Sequence, residues 1–185
     1  LKKAIQINPS LSVAYSNLGI ILKDNGKIDE AEINIKQALK IDPNLEVANC
    51  SLGIIHAIKG NLPKAEECLR TAIQINPNYS EAHSNLGKVL KDSEKLIEAE
   101  IHTRKAIKLS PNDSISYSNL GVILKQLYKY REAEIMTKIA IDLDPNSYIA
   151  LCNLGAIYKE QGELKLGEFY TRKAIEFNPD FAEAF

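Results

Sequence analysis

Prolines stand at positions 9, 43, 77, 111, 145 and 179, each 34 residues after the last, and only Pro63 lies outside the series. Proline removes a backbone donor and breaks helices from within, so a fixed proline period cuts the chain into equal lengths. Two further markers keep the same step. They are Leu18-Gly19, Leu52-Gly53, Leu86-Gly87, Leu120-Gly121 and Leu154-Gly155, and the alanines Ala4, Ala38, Ala72, Ala106, Ala140 and Ala174. Recurrent stops and small residues at this period point to stacked helix–turn–helix units rather than one globular core. Function in such an array belongs to a surface.

The unit from Ser12 to Leu45 shows how the pattern builds. Val13, Ala14, Leu18, Ile21 and Leu22 fall at helical spacing and predict a first helix over about residues 11–24. Asn25-Gly26 supplies a residue that tolerates left-handed geometry and ends it. Ile28, Ala31, Ile35, Ala38, Leu39 and Ile41 predict a second helix from about Asp29 to Lys40, which Pro43 stops. The residue after each proline is Ser10, Asn44, Asn78, Asn112, Asn146 or Asp180. All are N-capping types, so each first helix is expected to start there with its free amides satisfied. The Leu-Gly glycines, with Ala31, Ala65, Ala99 and Ala133, are expected to let the helices of a unit approach closely.

These positions resemble the tetratricopeptide repeat (TPR) family along the whole chain. The signature is matched by Leu18, Gly19, Ala31, Ala38 and Pro43, and again by Leu120, Gly121, Ala133, Ala140 and Pro145. The resemblance implies an all-α fold, a right-handed α-solenoid of stacked 34-residue helix–turn–helix units. It covers a single array over residues 1–185, with full units 12–45, 46–79, 80–113, 114–147 and 148–181 and partial units 1–11 and 182–185. The family's large residue early in the first helix is Tyr15 and Tyr117 here, but Asn49, His83 and Leu151 elsewhere. Its aromatic in the second helix is replaced by Thr103, Thr137 and Thr171. Gly167 stands where alanine is expected, which weakens that helix by roughly 0.5–1 kcal/mol. The turn glycine becomes Glu94 and Tyr128, whose turns are expected to differ slightly in geometry without breaking the stack.

Composition narrows the partners. With 23 basic and 24 acidic residues interspersed, the net charge of −1 excludes nucleic-acid or acidic-membrane binding driven by overall charge. No apolar run is long enough to cross a bilayer, and no signal-peptide pattern opens the chain. Three scattered cysteines, Cys50, Cys68 and Cys152, fit free thiols in a reducing, cytoplasmic setting. Both ends read as cut from a longer protein, with Leu1 partway through a helical pattern and Phe185 just inside a new unit.

In the resembled family the first helices line a concave groove, which places Ser16, Asn17, Ile20, Lys23, Asp24 and their equivalents on it. One column stands out: Asn17, Ser51, Asn85, Asn119 and Asn153. Asparagine is a mediocre helix former, and its amide offers donors and an acceptor that grip a peptide backbone. The column is similar to the asparagine ladder in the TPR region of O-linked N-acetylglucosamine transferases, which binds peptide backbones this way. The competing reading is that each amide bonds a neighbouring helix. Around the column, Val13, Val47, Ile20, Ile54, Ala57 and Ile58 form an apolar strip, and Lys88, Lys91, Lys125 and Lys159 supply positive charge further along. The expected ligand is an extended segment, apolar at one end and acidic at the other. Lys88 has an alternative partner in Asp92, one turn later. The carboxylate-clamp mode that captures chaperone C-termini does not fit, because Ser16, Ile20 and Glu81 stand where it needs lysine and asparagine.

No histidine pair has i,i+4 spacing among His56, His83 and His102, and no cysteine pair has zinc-ligand spacing. Neither a Gly-x-Ser-x-Gly elbow nor a phosphate-cradling glycine loop occurs. No metal, cofactor or catalytic residue is expected, and the chain is read as a non-enzyme. The first reading is a protein-interaction array binding an extended peptide. The others are a substrate-recruiting arm of a larger enzyme such as a glycosyltransferase, and a structural element that forms homo-oligomers through its uncapped ends.

Overall fold

The computed structural model describes residues 11–179. Among the described residues there are ten helices and no strand. They are α1 (Ser12–Asp24), α2 (Ile28–Ile41), α3 (Glu46–Ile58), α4 (Leu62–Ile75), α5 (Ser80–Asp92), α6 (Leu96–Leu109), α7 (Ser114–Gln126), α8 (Tyr130–Leu143), α9 (Tyr148–Glu160) and α10 (Leu164–Phe177). The fold is an all-α helical-repeat solenoid. The chain divides into two compact units, Leu1–Ser93 and Glu94–Phe185. The first holds hairpins α1–α2 and α3–α4 with α5 packed on α4. The second holds α6 packed on α7, then hairpins α7–α8 and α9–α10.

The proline turns differ from expectation in one respect. The first helices start at positions 12, 46, 80, 114 and 148, so their N-caps are Leu11, Leu45, Tyr79, Asp113 and Ser147. Asn44, Asn78, Asn112 and Asn146 therefore stand one residue too early to cap, while Ser10 and Asp180 lie outside the described residues. The reason is the turn itself. Leu45 N donates to Asp42 O and Tyr79 N to Asn76 O, closing four-residue turns with proline in the second place. The side chains of Asp42, Asn76 and Asp144 accept the backbone N–H of Asn44, Asn78 and Asn146. Of the first helices, α7 and α9 do gain side-chain caps, from Asp113 and Ser147.

Within a hairpin the turn needs a residue with positive φ. Gly26, Gly60 and Gly162 adopt φ of 73°, 75° and 83°. Glu94 and Tyr128 take the same left-handed conformation at 61° and 60°. These φ values are somewhat smaller than those of the glycines, so the turns differ slightly, as expected, while the backbone stays left-handed against local strain of about 1–2 kcal/mol.

The helix crossing rests on the Leu-Gly glycine. A Cβ on Gly19 would lie 2.6 Å from Ile35, and one on Gly53 would lie 2.7 Å from Leu69. On Gly121 it would collide with Thr137 Oγ1, and on Gly155 with Thr171 Oγ1. The threonines that replace the family's aromatic thus sit directly against these glycines. Each returns its hydroxyl to its own helix, Thr137 to Ala133 O and Thr171 to Gly167 O. Ala31, Ala65, Ala99 and Ala133 are wholly buried at the crossings. In the first unit Ala31, Ile35 and Ala38 join Ala48, Leu52 and Ile55 of the next hairpin in one core.

Candidate functional site

Successive first helices approach one another, α1 with α3 and α3 with α5 in the first unit and α7 with α9 in the second. Among the described residues, successive second helices within a unit do not. The first helices therefore form the tighter side of each unit, and a stripe at i, i+4, i+7 and i+11 faces outward from it.

On α1 this stripe is Val13, Asn17, Ile20 and Asp24, with Val13 55% exposed, Asn17 exposed and Ile20 half-buried. On α3 it is Val47, Ser51, Ile54 and Ile58, of which Ile58 is 56% exposed and Ser51 buried. On α5 it is Glu81, Asn85, Lys88 and Asp92. The predicted Asn17, Ile20, Ile54, Ile58, Asn85 and Lys88 thus share one face of the first unit, with Lys91 beside them. Asn119, Asn153 and Lys125 belong to the second unit, where α7 and α9 carry the equivalent face.

Two exposed residues on that face lie outside the sequence expectation: Ile115, 66% exposed, and Ile149, half exposed. Each lies at a multiple of 34 from Val13, so the period that reveals the asparagines also marks them. The apolar strip occurs in both units, not only toward the N-terminus.

The asparagine column divides by its contacts. Asn85 Nδ2 donates to Glu81 O, one turn back on its own helix. Asn153 Nδ2 donates to Ser118 Oγ on the preceding first helix, at 3.0 Å. Each keeps its Oδ1 without a partner among the described residues. In the first unit Ser51 is buried in place of asparagine, and Ser16 Oγ, the equivalent of Ser118 Oγ, is buried with no hydrogen-bond partner. Serine is too short to span the gap that Asn153 spans.

The lysines also separate. Lys91 pairs with Asp92 at 2.9 Å, leaving Lys88 exposed with no ion-pair partner among the described residues. Lys125 is half-buried, also without such a partner. Asn49 and His83, standing where the family carries a large residue, hold the proline turns: Asn49 Nδ2 donates to Pro43 O, and His83 Nε2 lies 3.2 Å from Pro77 O.

Carboxylates also tie successive hairpins together. Glu32, Glu100 and Glu134 each join a second helix to the next hairpin, accepting from Lys59, Lys129 and the Tyr158 hydroxyl respectively. Lys36 and Lys59 hold Glu32 far below its ordinary value, at about 2. The thiol of Cys50 is pushed up to about 12, first by burial and then by Glu81. Burial also raises Cys68 and Cys152. Protonated thiols are poor nucleophiles. Among the described residues no group of three His, Cys, Asp or Glu side chains is placed to hold a metal, and no helix is long and apolar enough to cross a membrane.

Family models described as tetratricopeptide repeats match residues 12–45, 80–113, 102–135 and 148–181, and one described as a TPR repeat matches residues 55–93. The chain belongs to the tetratricopeptide repeat family. Among solved structures it is similar to YrrB, a TPR protein described as having an unusual peptide-binding site. That match has 23% identity over 97% of this chain and 92% of YrrB, with a TM-score of 0.71. PilF of Pseudomonas aeruginosa is 21% identical over 90% of this chain and 76% of its own, with a TM-score of 0.80. A thermophilic TPR protein of Thermus thermophilus is 21% identical over 93% of this chain and 94% of its own, with a TM-score of 0.79. These likenesses establish the TPR fold. No curated protein sequence matches the chain.

Proposed function

We propose that this TPR array is a protein-interaction scaffold that holds an extended peptide segment on the first-helix face, without catalysis. The observation that carries the reading is the exposure of Val13, Ile58, Ile115 and Ile149 at stripe positions flanking the asparagine column. Apolar side chains on an otherwise polar helix face mark contact surfaces more than solvent does. The unpaired Oδ1 atoms of Asn85 and Asn153 offer acceptors for a ligand's backbone N–H, and Lys88 offers an unpaired charge for an acidic ligand residue. The peptide-binding site named for YrrB supports the reading at the level of fold.

Magnitudes divide the labour. A hydrogen bond nets about 0.5–1.5 kcal/mol, while association costs on the order of 4–15 kcal/mol. Amides alone do not hold a ligand, so the apolar pockets must supply affinity and the amides register. Peptides selected on an array are to be titrated against the protein and its Asn17→Ala/Asn85→Ala double variant, both positions lying on first helices of the first unit. Loss of two bonds weakens binding by roughly 1–3 kcal/mol, between about 5- and 150-fold. An unchanged Kd in a variant with native circular dichroism would remove the asparagines from recognition.

A further inference from the structure

The second helices carry an apolar column of their own. Ile33, Ile101, Ile135 and Phe169 share one repeat position, on α2, α6, α8 and α10, and each is more than half exposed. Interior hairpins expose this position as fully as the last one does, so it faces outward because of the repeat itself. Glu67 interrupts the column in the first unit, whereas in the second unit it is unbroken. Ile97, one turn before Ile101, is exposed as well. Helices α6 and α8 both pack on α7, and α8 and α10 both pack on α9. Arg104, three residues after Ile101, bonds Glu132, three residues before Ile135. The two isoleucines therefore flank one ion pair on a common surface.

The stripes that hold this column in the second unit are basic. One turn from it lie Lys105 on α6, Arg131 on α8, and Lys165 and Lys173 on α10, with Lys108 two turns after Ile101. None of these has an ion-pair partner among the described residues. The carboxylates on the same stripes are Asp142 and Glu176. Neighbouring cations are neutralised within the molecule, Arg104 by Glu100 and Glu132, Lys138 by Glu134 and Arg172 by Glu168. The excess is local, since the whole chain has a net charge of −1. On α2 the corresponding stripe holds Asp29, Gln37 and Lys40 around Ile33.

A protein ligand needs a complementary shape around its anchors. Single apolar side chains standing among unpaired cations suit an anionic lipid surface better. Isoleucine and phenylalanine enter the boundary of the acyl chains, while lysine and arginine keep their charged heads at the phosphates. We infer that the second-helix face of the second unit, built from α6, α8 and α10, docks on an anionic phospholipid surface. The contact is peripheral, because no described helix is long and apolar enough to cross a membrane.

The test is co-sedimentation of the whole 185-residue chain with phosphatidylcholine vesicles containing about 30% phosphatidylserine, against vesicles of phosphatidylcholine alone. The wild type is expected to bind the anionic vesicles more tightly, and less so as salt is raised. Each cation near an anionic surface contributes about five-fold, so Lys105→Glu/Arg131→Glu should weaken binding about 30-fold or more. Ile101→Ser/Ile135→Ser should weaken it roughly 10-fold at equal charge. Ile33→Ser, in the unit whose column Glu67 breaks, should leave it unchanged. The substituted isoleucines are exposed, and circular dichroism checks that each variant folds. Absence of binding to the anionic vesicles would overturn the inference, as would equal binding to both kinds of vesicle. So would binding unaltered in either double variant, or lost to the same degree in Ile33→Ser. Wild type retained on immobilised polyglutamate but not on vesicles would give the face to an acidic protein segment, and the inference would fall.

Discussion

Glu32 shows how one carboxylate ties two hairpins through charge. It accepts from Lys36 on its own helix and from Lys59 on the next hairpin, and its pKa falls from an ordinary 4.5 to about 2. A carboxylate with a depressed folded pKa stabilises the fold fully above its unfolded value. That contribution is lost as pH falls from about 4.5 through about 2. In a carbon-detected NMR titration, Lys36→Met should move the Glu32 midpoint up most and Lys59→Met by less, each flattening the acid loss of stability; an unmoved midpoint contradicts the assignment. Ser51 makes a second case. Ser16 Oγ is buried without a partner where Ser118 receives Asn153. Ser51→Asn should therefore supply the missing donor and raise stability by about 0.5–1.5 kcal/mol in urea unfolding, with Ser51→Ala giving no such gain. The asparagine column was legible from the period alone, but not what each amide does. That depends on whether a hydroxyl lies one helix away, a distance set by packing rather than by spacing along the chain.

At the scale of the element, the crossing of two helices in a hairpin depends on a glycine facing a particular side chain. In α7–α8 the partner of Gly121 is Thr137, β-branched, buried and bonded to Ala133 O, so it has no room to yield. Gly121→Ala should cost about 1–3 kcal/mol by overpacking. Adding Thr137→Ala removes the obstructing hydroxyl and methyl, so the double variant should lose less than the two single losses summed. Thermal unfolding of all three variants measures the coupling, and strict additivity would show that the two residues do not meet. Most of this was readable in advance: helix spans, hairpin turns and small residues at the crossing follow from apolar periodicity and glycine chemistry. The helix starts were not, since Asn44 and its equivalents are good caps by type. What displaced them was the proline turn, in which Asp42, Asn76 and Asp144 take the amides of those asparagines. Likewise Glu94 and Tyr128 keep a glycine-like backbone because the helices on either side fix the turn more firmly than its own residue does.

For the whole molecule, stability is a sum of hairpin terms and nearest-neighbour contacts, so damage should remain local. Two compact units, Leu1–Ser93 and Glu94–Phe185, give that expectation a definite boundary. The repeat period announced the array but carried no sign of this division, because the 34-residue markers run through it without interruption. Ala133 is wholly buried in α8, and Ala133→Leu should overpack the α7–α8 crossing by about 1–3 kcal/mol. A one-block fold would spread that loss over every core amide. A chain of neighbour contacts confines it, because an opening of α7–α8 exposes α9–α10 and α6 without requiring α1–α2 to open. Native-state hydrogen exchange of Ala133→Leu should accordingly show faster exchange in α7, α8 and α9, with the buried amides of α2 and α3 unchanged within error. Equal acceleration in both units would instead make the chain one cooperative body, and the first-helix faces would then have to be treated as a single surface whose every part responds to a ligand bound anywhere along it.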